Sequence, residues 1–393
     1  MHWRAAGATL AVALSLLPAA VGSAYAEDAV KVGLIVPMTG PFTSTGKQIE
    51  AAVRLYMAEH GTTVAGKKIE LILRDDTGNA EITKRLAQEL VVKDKVSFLA
   101  GFGLTPLALA TAPIATEAKV PQIVMVAGAS VVTERSPFIV RTSFTVAQSA
   151  ATIADWSAKN GIKKVVTLVS DYSPGHDSEK SFIEYYKKAG GQIITSLRVP
   201  LQNPDFAPFL QRAADARPDA IYVFVPSGPG AVLMKQFIER GLDKAGMKMI
   251  GDGALTDDDI LPNYGDAAIG VITAHLYATA HSSAKNKSYV EGFKKANPGL
   301  RPNFISVGGY DGMHVIYEAL KKTNGNTDGA ALVEAMRGLK WESPRGPISI
   351  DPQTRDIIQN IYIRKVEKVG GELQNVEFAT YEAVKDPVKA TVK

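Results

Sequence analysis

From Val30 onward, short apolar runs alternate with segments of helical periodicity. Val30–Val36 is apolar and ends at Pro37. In residues 46–60, Ile49, Ala52, Val53, Tyr56 and Met57 fall on one helical face. Thr45 and Gln48 have the spacing of a capping box, which marks the helix start. Strand-like 68–73, helical 81–92 and strand-like 96–101 follow. Thr105-Pro106 reads as an N-cap with proline at the first helical position, and Gln122–Val126 as a fourth strand. The rhythm resumes with a strand over 164–170 and a helix over 177–189 that stops at Gly190-Gly191. Further strands cover 192–199, 220–225 and 247–250. A helical region, 287–340, precedes a strand-rich 346–381 with Gly370-Gly371 as a hairpin turn.

This βαβ rhythm predicts an α/β protein with parallel sheets covered on both faces. It falls into two blocks, roughly 30–143 and 147–273. In doubly wound sheets, ligands bind beyond the carboxyl ends of the strands. The corresponding loops here are 39–45, 102–105, 128–130, 171–177, 227–230 and 252–256, and they are polar or glycine-rich. Two blocks facing one another with such loops would form a cleft.

Composition narrows the function. The chain has 393 residues, 46% hydrophobic and 21% charged, with a net charge of +4. It shows no basic run with interleaved aromatics, so nucleic acid is not an expected partner. The absence of cysteine excludes disulfides, thiolate metal sites, a cysteine nucleophile and a lipid-modified N-terminal cysteine. Arg4, the apolar stretch Ala5 to Val21 and Ala24-Tyr25-Ala26 read as a secretory signal peptide over residues 1–26. Cleavage there would leave 367 residues (393 minus 26), starting at Glu27. No later segment approaches 18 uninterrupted apolar residues. Together these features point to the periplasm of a double-membraned bacterium.

Catalytic and cofactor motifs fail on detail. Gly40 to Lys47 imitates a phosphate-binding loop, but five residues separate its glycines and Gln48 follows the lysine. Gly101-Phe-Gly-Leu-Thr-Pro106 has proline where a dinucleotide fingerprint needs its third glycine. The six histidines are scattered without metal-ligand spacing. His176 lies in a candidate ligand loop and reads equally well as a surface histidine. There is no Gly-x-Ser-x-Gly elbow. Asp75-Asp76 reads as a brace for a turn, and Asp257–Asp259 as a solvated helix start. No enzyme activity, cofactor or metal is expected.

Three stretches carry a resemblance: Val32-Gly-Leu-Ile-Val-Pro-Met-Thr-Gly-Pro41, Arg74-Asp-Asp-Thr77 and Tyr310-Asp-Gly-Met313. In this order they resemble the leucine/isoleucine/valine-type periplasmic binding proteins of ABC importers, over essentially the whole mature chain. The resemblance implies the periplasmic-binding-protein-like I fold, with two doubly wound parallel-sheet lobes joined by three hinge crossings. The crossings would lie near 142–148, 273–278 and 344–350. The N-terminal lobe would comprise 27–143 plus 276–345, the C-terminal lobe 147–273 plus 347–393. It further implies a monomer that closes around a small solute and delivers it to a membrane permease and its ATPase.

The resemblance also assigns site residues. Thr105 and Gly128-Ala129-Ser130 match the positions that hold a solute carboxylate, and Phe42 and Phe102 would form apolar walls. Tyr172, Pro174, Ser227 and the Gly253 region match the second lobe's contribution. Two departures bear on the cargo. Pro174, not an aromatic residue, precedes Gly175. Gly253 stands where amino-acid binders place an acid for the ammonium group, with Asp252 as a possible substitute. A buried ammonium without a partner is costly. The favoured cargo is therefore an aromatic or other organic acid lacking the amine. Branched-chain amino acids, and amides or other solutes read by a sensor lobe, are the alternatives.

Overall fold

The computed structural model describes residues 1–3, 29–227 and 229–389. Residues 4–28 fall outside these, so nearly all of the expected signal peptide does too. The first lobe opens with β1 (Val30–Val36), α1 (Thr43–His60), β2 (Thr63–Val64), β3 (Lys67–Asp75) and α2 (Ala80–Glu89). It continues through β4 (Phe98–Gly101), α3 (Thr105–Ala118), β5 (Gln122–Val124) and β6 (Ile139–Arg141). Its strands lie in the order β2-β3-β1-β4-β5-β6, and all neighbours are parallel except the β2–β3 hairpin. The central β1 is apolar on both faces because helices cover both, and Val32, Leu34, Ile35 and Val36 are fully buried.

The second lobe contains α4 (Val146–Lys159), β7 (Lys164–Ser170), α5 (Ser173–Lys188), β8 (Gln192–Val199), α6 (Ala207–Asp215), β9 (Ala220–Phe224), α7 (Gly230–Glu239), β10 (Lys248–Asp252) and β11 (Ile272–His275). The chain then returns to the first lobe as α8 (Ala284–Ala296), α9 (Phe304–Lys322) and α10 (Gly329–Met336), with α9 laid along α1. It ends as β12 (Lys340–Ser343), β13 (Gly346–Ile350), β14 (Ile357–Val369) and β15 (Glu372–Val384). The second sheet runs β12-β13-β14-β11-β10-β9-β7-β8, with β15 also paired to β14. Strands β7 to β11 pair in parallel and the C-terminal strands antiparallel. Gly370 and Gly371, both with positive φ, form the β14–β15 turn.

The chain thus changes lobe three times. The first two changes come after β6 and after β11. The third comes at 337–339, ahead of the expected 344–350, because β12 is already hydrogen-bonded to β13 in the second sheet. Buried arginines hold these crossings. Arg345, in the β12–β13 turn, donates to the carbonyls of Ser143 (2.8 Å) and Thr142 on the first crossing and pairs with Asp311 of α9 at 3.0 Å. Arg364 of β14 donates to the carbonyls of Tyr277, just past β11, and Gly253 (3.1 Å). No helix among the described residues is long and apolar enough to cross a membrane.

Candidate functional site

Where the strand ends of the two sheets face each other lies a narrow cleft of about 50 Å³, open to solvent. Its walls are largely helix beginnings. Phe42 precedes α1; Leu104 and Thr105 open α3; Val146 opens α4; Pro174 lies in the first turn of α5; Phe304 and Ile305 open α9. The first N–H groups of a helix have no intrahelical acceptor and carry partial positive charge. The cleft therefore presents several helix N-termini to whatever enters it.

The remaining surface is aromatic and uncharged. Phe144 and Phe304 meet edge to face at 5.5 Å between ring centroids. Across the cleft, Tyr172 stacks on Phe224 at 6.2 Å. Hydroxyls come from Thr45, Thr105, Tyr172 and Ser227. Among the described residues, no aspartate, glutamate, lysine, arginine or histidine lines the space. The Thr105 hydroxyl accepts a bond from the Ala129 N–H (3.2 Å), which leaves its own proton for the cleft. Burial holds the Tyr172 phenol well above its usual range, with the Asp252 charge adding to it, so this group acts as a neutral O–H.

The sequence-assigned residues divide. Phe42, Thr105, Gly128, Tyr172, Pro174 and Ser227 line the cleft. Phe102, Ala129, Ser130, Asp252 and Gly253 do not, and each has a physical reason. Phe102 takes φ +66° at the end of β4, which turns its fully buried ring into the apolar cluster shared with Ile35, Leu90 and Ala108. The Ala129 N–H is spent on Thr105. The Ser130 N–H donates to Asp177 of the second lobe at 2.9 Å, and its hydroxyl faces the Asp386 carboxyl. Asp252 is buried beneath the wall and caps the short turn 253–256 through the Ala254 N–H (2.9 Å). Burial pushes its carboxyl up to about 6, against the Ala254 bond and the Arg364 charge.

At Gly253 a Cβ would lie 2.2 Å from His275 Cγ and 2.5 Å from Arg364 Nη2. The space an acidic side chain would need is filled. His275 itself is fully buried, and burial, reinforced by Arg364 and Arg345, keeps it neutral. It packs edge-on to Phe304 at 4.4 Å and to Phe144 at 5.5 Å, so it backs the aromatic wall. His176, 2.6 Å from Asp171, is on the outer surface and not in the lining. Asp75 braces its turn as expected, accepting from the Met38 and Thr77 N–H groups at 2.8 Å.

Among the lining residues that sequence reasoning missed are Phe144, Phe224, Phe304 and Ile305. Phe144 directly precedes the Thr145–Gln148 capping box, and Phe304 directly follows the Asn303 cap that pairs with Ser306. An aromatic residue directly beside a capping motif was the available signal. Asp257 and Asp258 were also misread. They are buried, not solvated: Ser227 and Asn303 cover Asp257, and Thr279 and Asn375 of β15 cover Asp258.

Known proteins resemble this chain along most of its length. A "Leu/Ile/Val-binding protein homolog 6" of Brucella melitensis is 44% identical, covering 95% of this chain and 97% of its own. A solute-binding protein of an ABC transporter from Rhodopseudomonas palustris BisB5, solved in complex with 3,4-dihydroxybenzoic acid, is 65% identical. It superposes with a TM-score of 0.90 over 92% of this chain and all of that one. A second, from R. palustris HaA2 in complex with p-hydroxybenzoic acid, is 41% identical, again with a TM-score of 0.90, 92% of this chain and all of its own. The family model described as "Periplasmic binding protein" matches residues 29–371. The chain therefore belongs to the periplasmic binding protein family and shares the two-sheet α/β architecture of its solute-binding members.

Proposed function

We propose that this protein captures an aromatic carboxylate of the hydroxybenzoate type and presents it, in the closed form, to the permease and ATPase of an ABC importer. It works in the periplasm after export directed by residues 1–26. The observation that carries the reading is the lining: an aromatic, charge-free surface on which helix N-termini converge. An amino acid's carboxylate would suit those N-termini, but its ammonium would meet the same positive ends with no carboxylate to pair with. A benzoate-type acid has the favourable half alone. In this reading the hydroxyl and backbone N–H of Thr105, at the start of α3, hold the carboxylate. The ring lies between Phe144–Phe304 and Tyr172–Phe224, and Thr45, Tyr172 and Ser227 offer partners to ring hydroxyls. The ligands of the two R. palustris proteins support the same class.

A thermal-shift screen tests it, using 3,4-dihydroxybenzoate, 4-hydroxybenzoate, benzoate, leucine, valine and phenylalanine. A ligand at a hundred times its Kd stabilises by about 2.7 kcal/mol, which such a screen resolves. Hydroxybenzoates should raise the melting temperature and leucine should not. Stabilisation by leucine or valine, with none by the aromatic acids, overturns the assignment.

A further inference from the structure

The lobes are stitched together beside the cleft, and the stitches converge on Asp257, Asp258 and Asp259. Asp259 Oδ2 accepts from the Ser44 hydroxyl of α1 at 2.5 Å. Asp258 accepts from the Thr279 N–H at 3.1 Å and from Asn375 of β15 at 3.0 Å. Asp257 makes the most informative contacts. Its Oδ2 accepts from the Ser227 hydroxyl, which lines the cleft from the second lobe. The same oxygen accepts from Asn303 Nδ2 at 3.0 Å. Asn303 belongs to the first lobe and caps α9 by accepting the Ser306 N–H at 3.0 Å, and the next two residues, Phe304 and Ile305, are cleft wall. One buried carboxylate oxygen thus joins a cleft hydroxyl of one lobe to the cap of a wall-forming helix of the other.

We propose that Asp257 is a positioning residue for closure, outside the ligand cleft, that couples the wall at Ser227 to the α9 cap at Asn303. Opening the lobes separates Asn303 from Asp257, while Ser227 stays with it. Closing buries the carboxylate, and the second donor offsets that desolvation. The bond therefore contributes to the closed, liganded form and not to the folding of either lobe. Ligand affinity, not ligand-free stability, should report it.

Asn303→Asp separates the two. It keeps the oxygen that caps α9 but sets a carboxylate against Asp257. With 3,4-dihydroxybenzoate as probe, calorimetry should show about ten- to a hundredfold weaker binding, the range for a hydrogen bond to a charged group. The ligand-induced compaction seen by small-angle X-ray scattering should shrink, and the ligand-free melting temperature should stay near wild type. Asp257→Asn combined with Asn303→Asp restores a donor–acceptor pair with its direction reversed. It should bind much better than the product of the single effects predicts. Unchanged affinity in Asn303→Asp, or purely additive effects in the double variant, overturns the proposal. The inference rests on the aromatic-acid reading only for its probe. If wild type ignores 3,4-dihydroxybenzoate, that reading fails on its own, and the cycle is run with the screened compound that does stabilise the protein.

Discussion

Thr105→Val removes one hydroxyl proton and one acceptor while nearly conserving volume, and the structure assigns each loss a different readout. The hydroxyl oxygen accepts the buried Ala129 N–H at 3.2 Å, so valine leaves that donor unsatisfied with or without ligand. An unsatisfied buried group costs about 1–3 kcal/mol. The ligand-free melting temperature should fall by a few degrees. The hydroxyl proton, left free by the Ala129 bond, is the one proposed to bond the solute carboxylate. A hydrogen bond to a charged group contributes about 1.5–3 kcal/mol, so Kd should rise by roughly ten- to a hundredfold. Thr105→Ser keeps both functions and should stay within about threefold of wild type by the same scale. Calorimetric titration with a hydroxybenzoate measures the affinities, and differential scanning calorimetry the stability. If the valine variant loses stability but binds as tightly as wild type, Thr105 only braces Ala129, and the carboxylate lies elsewhere in the cleft.

Two further outcomes follow from the wall beneath the cleft. Gly253→Ala forces a Cβ to within 2.2 Å of His275 and 2.5 Å of Arg364, so His275 must shift against Phe304 and Phe144. Overpacking of this kind costs about 1–3 kcal/mol, and both melting temperature and affinity should drop together; a variant with wild-type melting and binding would show the wall to be soft. The second outcome concerns pH. Burial pushes the Asp257 carboxyl up to about 7, against the Ser227 bond and helped by the Asp259 and Asp258 charges, while Asp252 stands at about 6. Groups raised in the native state bind more protons there than in the unfolded chain, so their contribution is complete below the unfolded value and lost as pH rises through the native one. The liganded melting temperature should decline from pH 5 to pH 8, and Asp257→Asn should flatten the upper part of that decline. A profile unaltered by the substitution would place the titration on other groups.

The architecture was legible because its signals are local. Strand–helix alternation, the Gly370-Gly371 turn and the Asp75 brace each depend on a few neighbouring residues. The strand-end loops were also legible, since a parallel sheet fixes which ends face the ligand. The individual side chains in them were less so. Phe102 and Thr105 lie three residues apart, yet a single left-handed φ sends the first into the core while the second faces the cleft. Phe144 and Phe304 meet only because the chain re-enters the first lobe after β11, before β12 to β15 finish the second sheet. The burial of Asp257 depends on the same re-entry, through Asn303. Nothing local to residues 257–259 distinguishes an exposed helix start from a covered seam.

The hinge shows why such distant residues can act together. Backbone at the crossings is buried, so its carbonyls need donors inside the protein. A guanidinium carries five N–H groups in a rigid fork, and one side chain can therefore serve carbonyls from separate segments. Arg345 does this for Thr142 and Ser143 while its charge is met by Asp311, which also accepts from Trp341 (2.9 Å) and Ser343 (2.8 Å) of β12. The first crossing, the β12–β13 hairpin and α9 are thereby fastened to one another. Arg364 fastens the second crossing to the Gly253 carbonyl in the same way. Crossings braced in this way resist bending at single residues, which favours movement of the lobes as whole bodies. A contact made only on closure, such as Asn303 with Asp257, then acts on the whole motion and not on one loop.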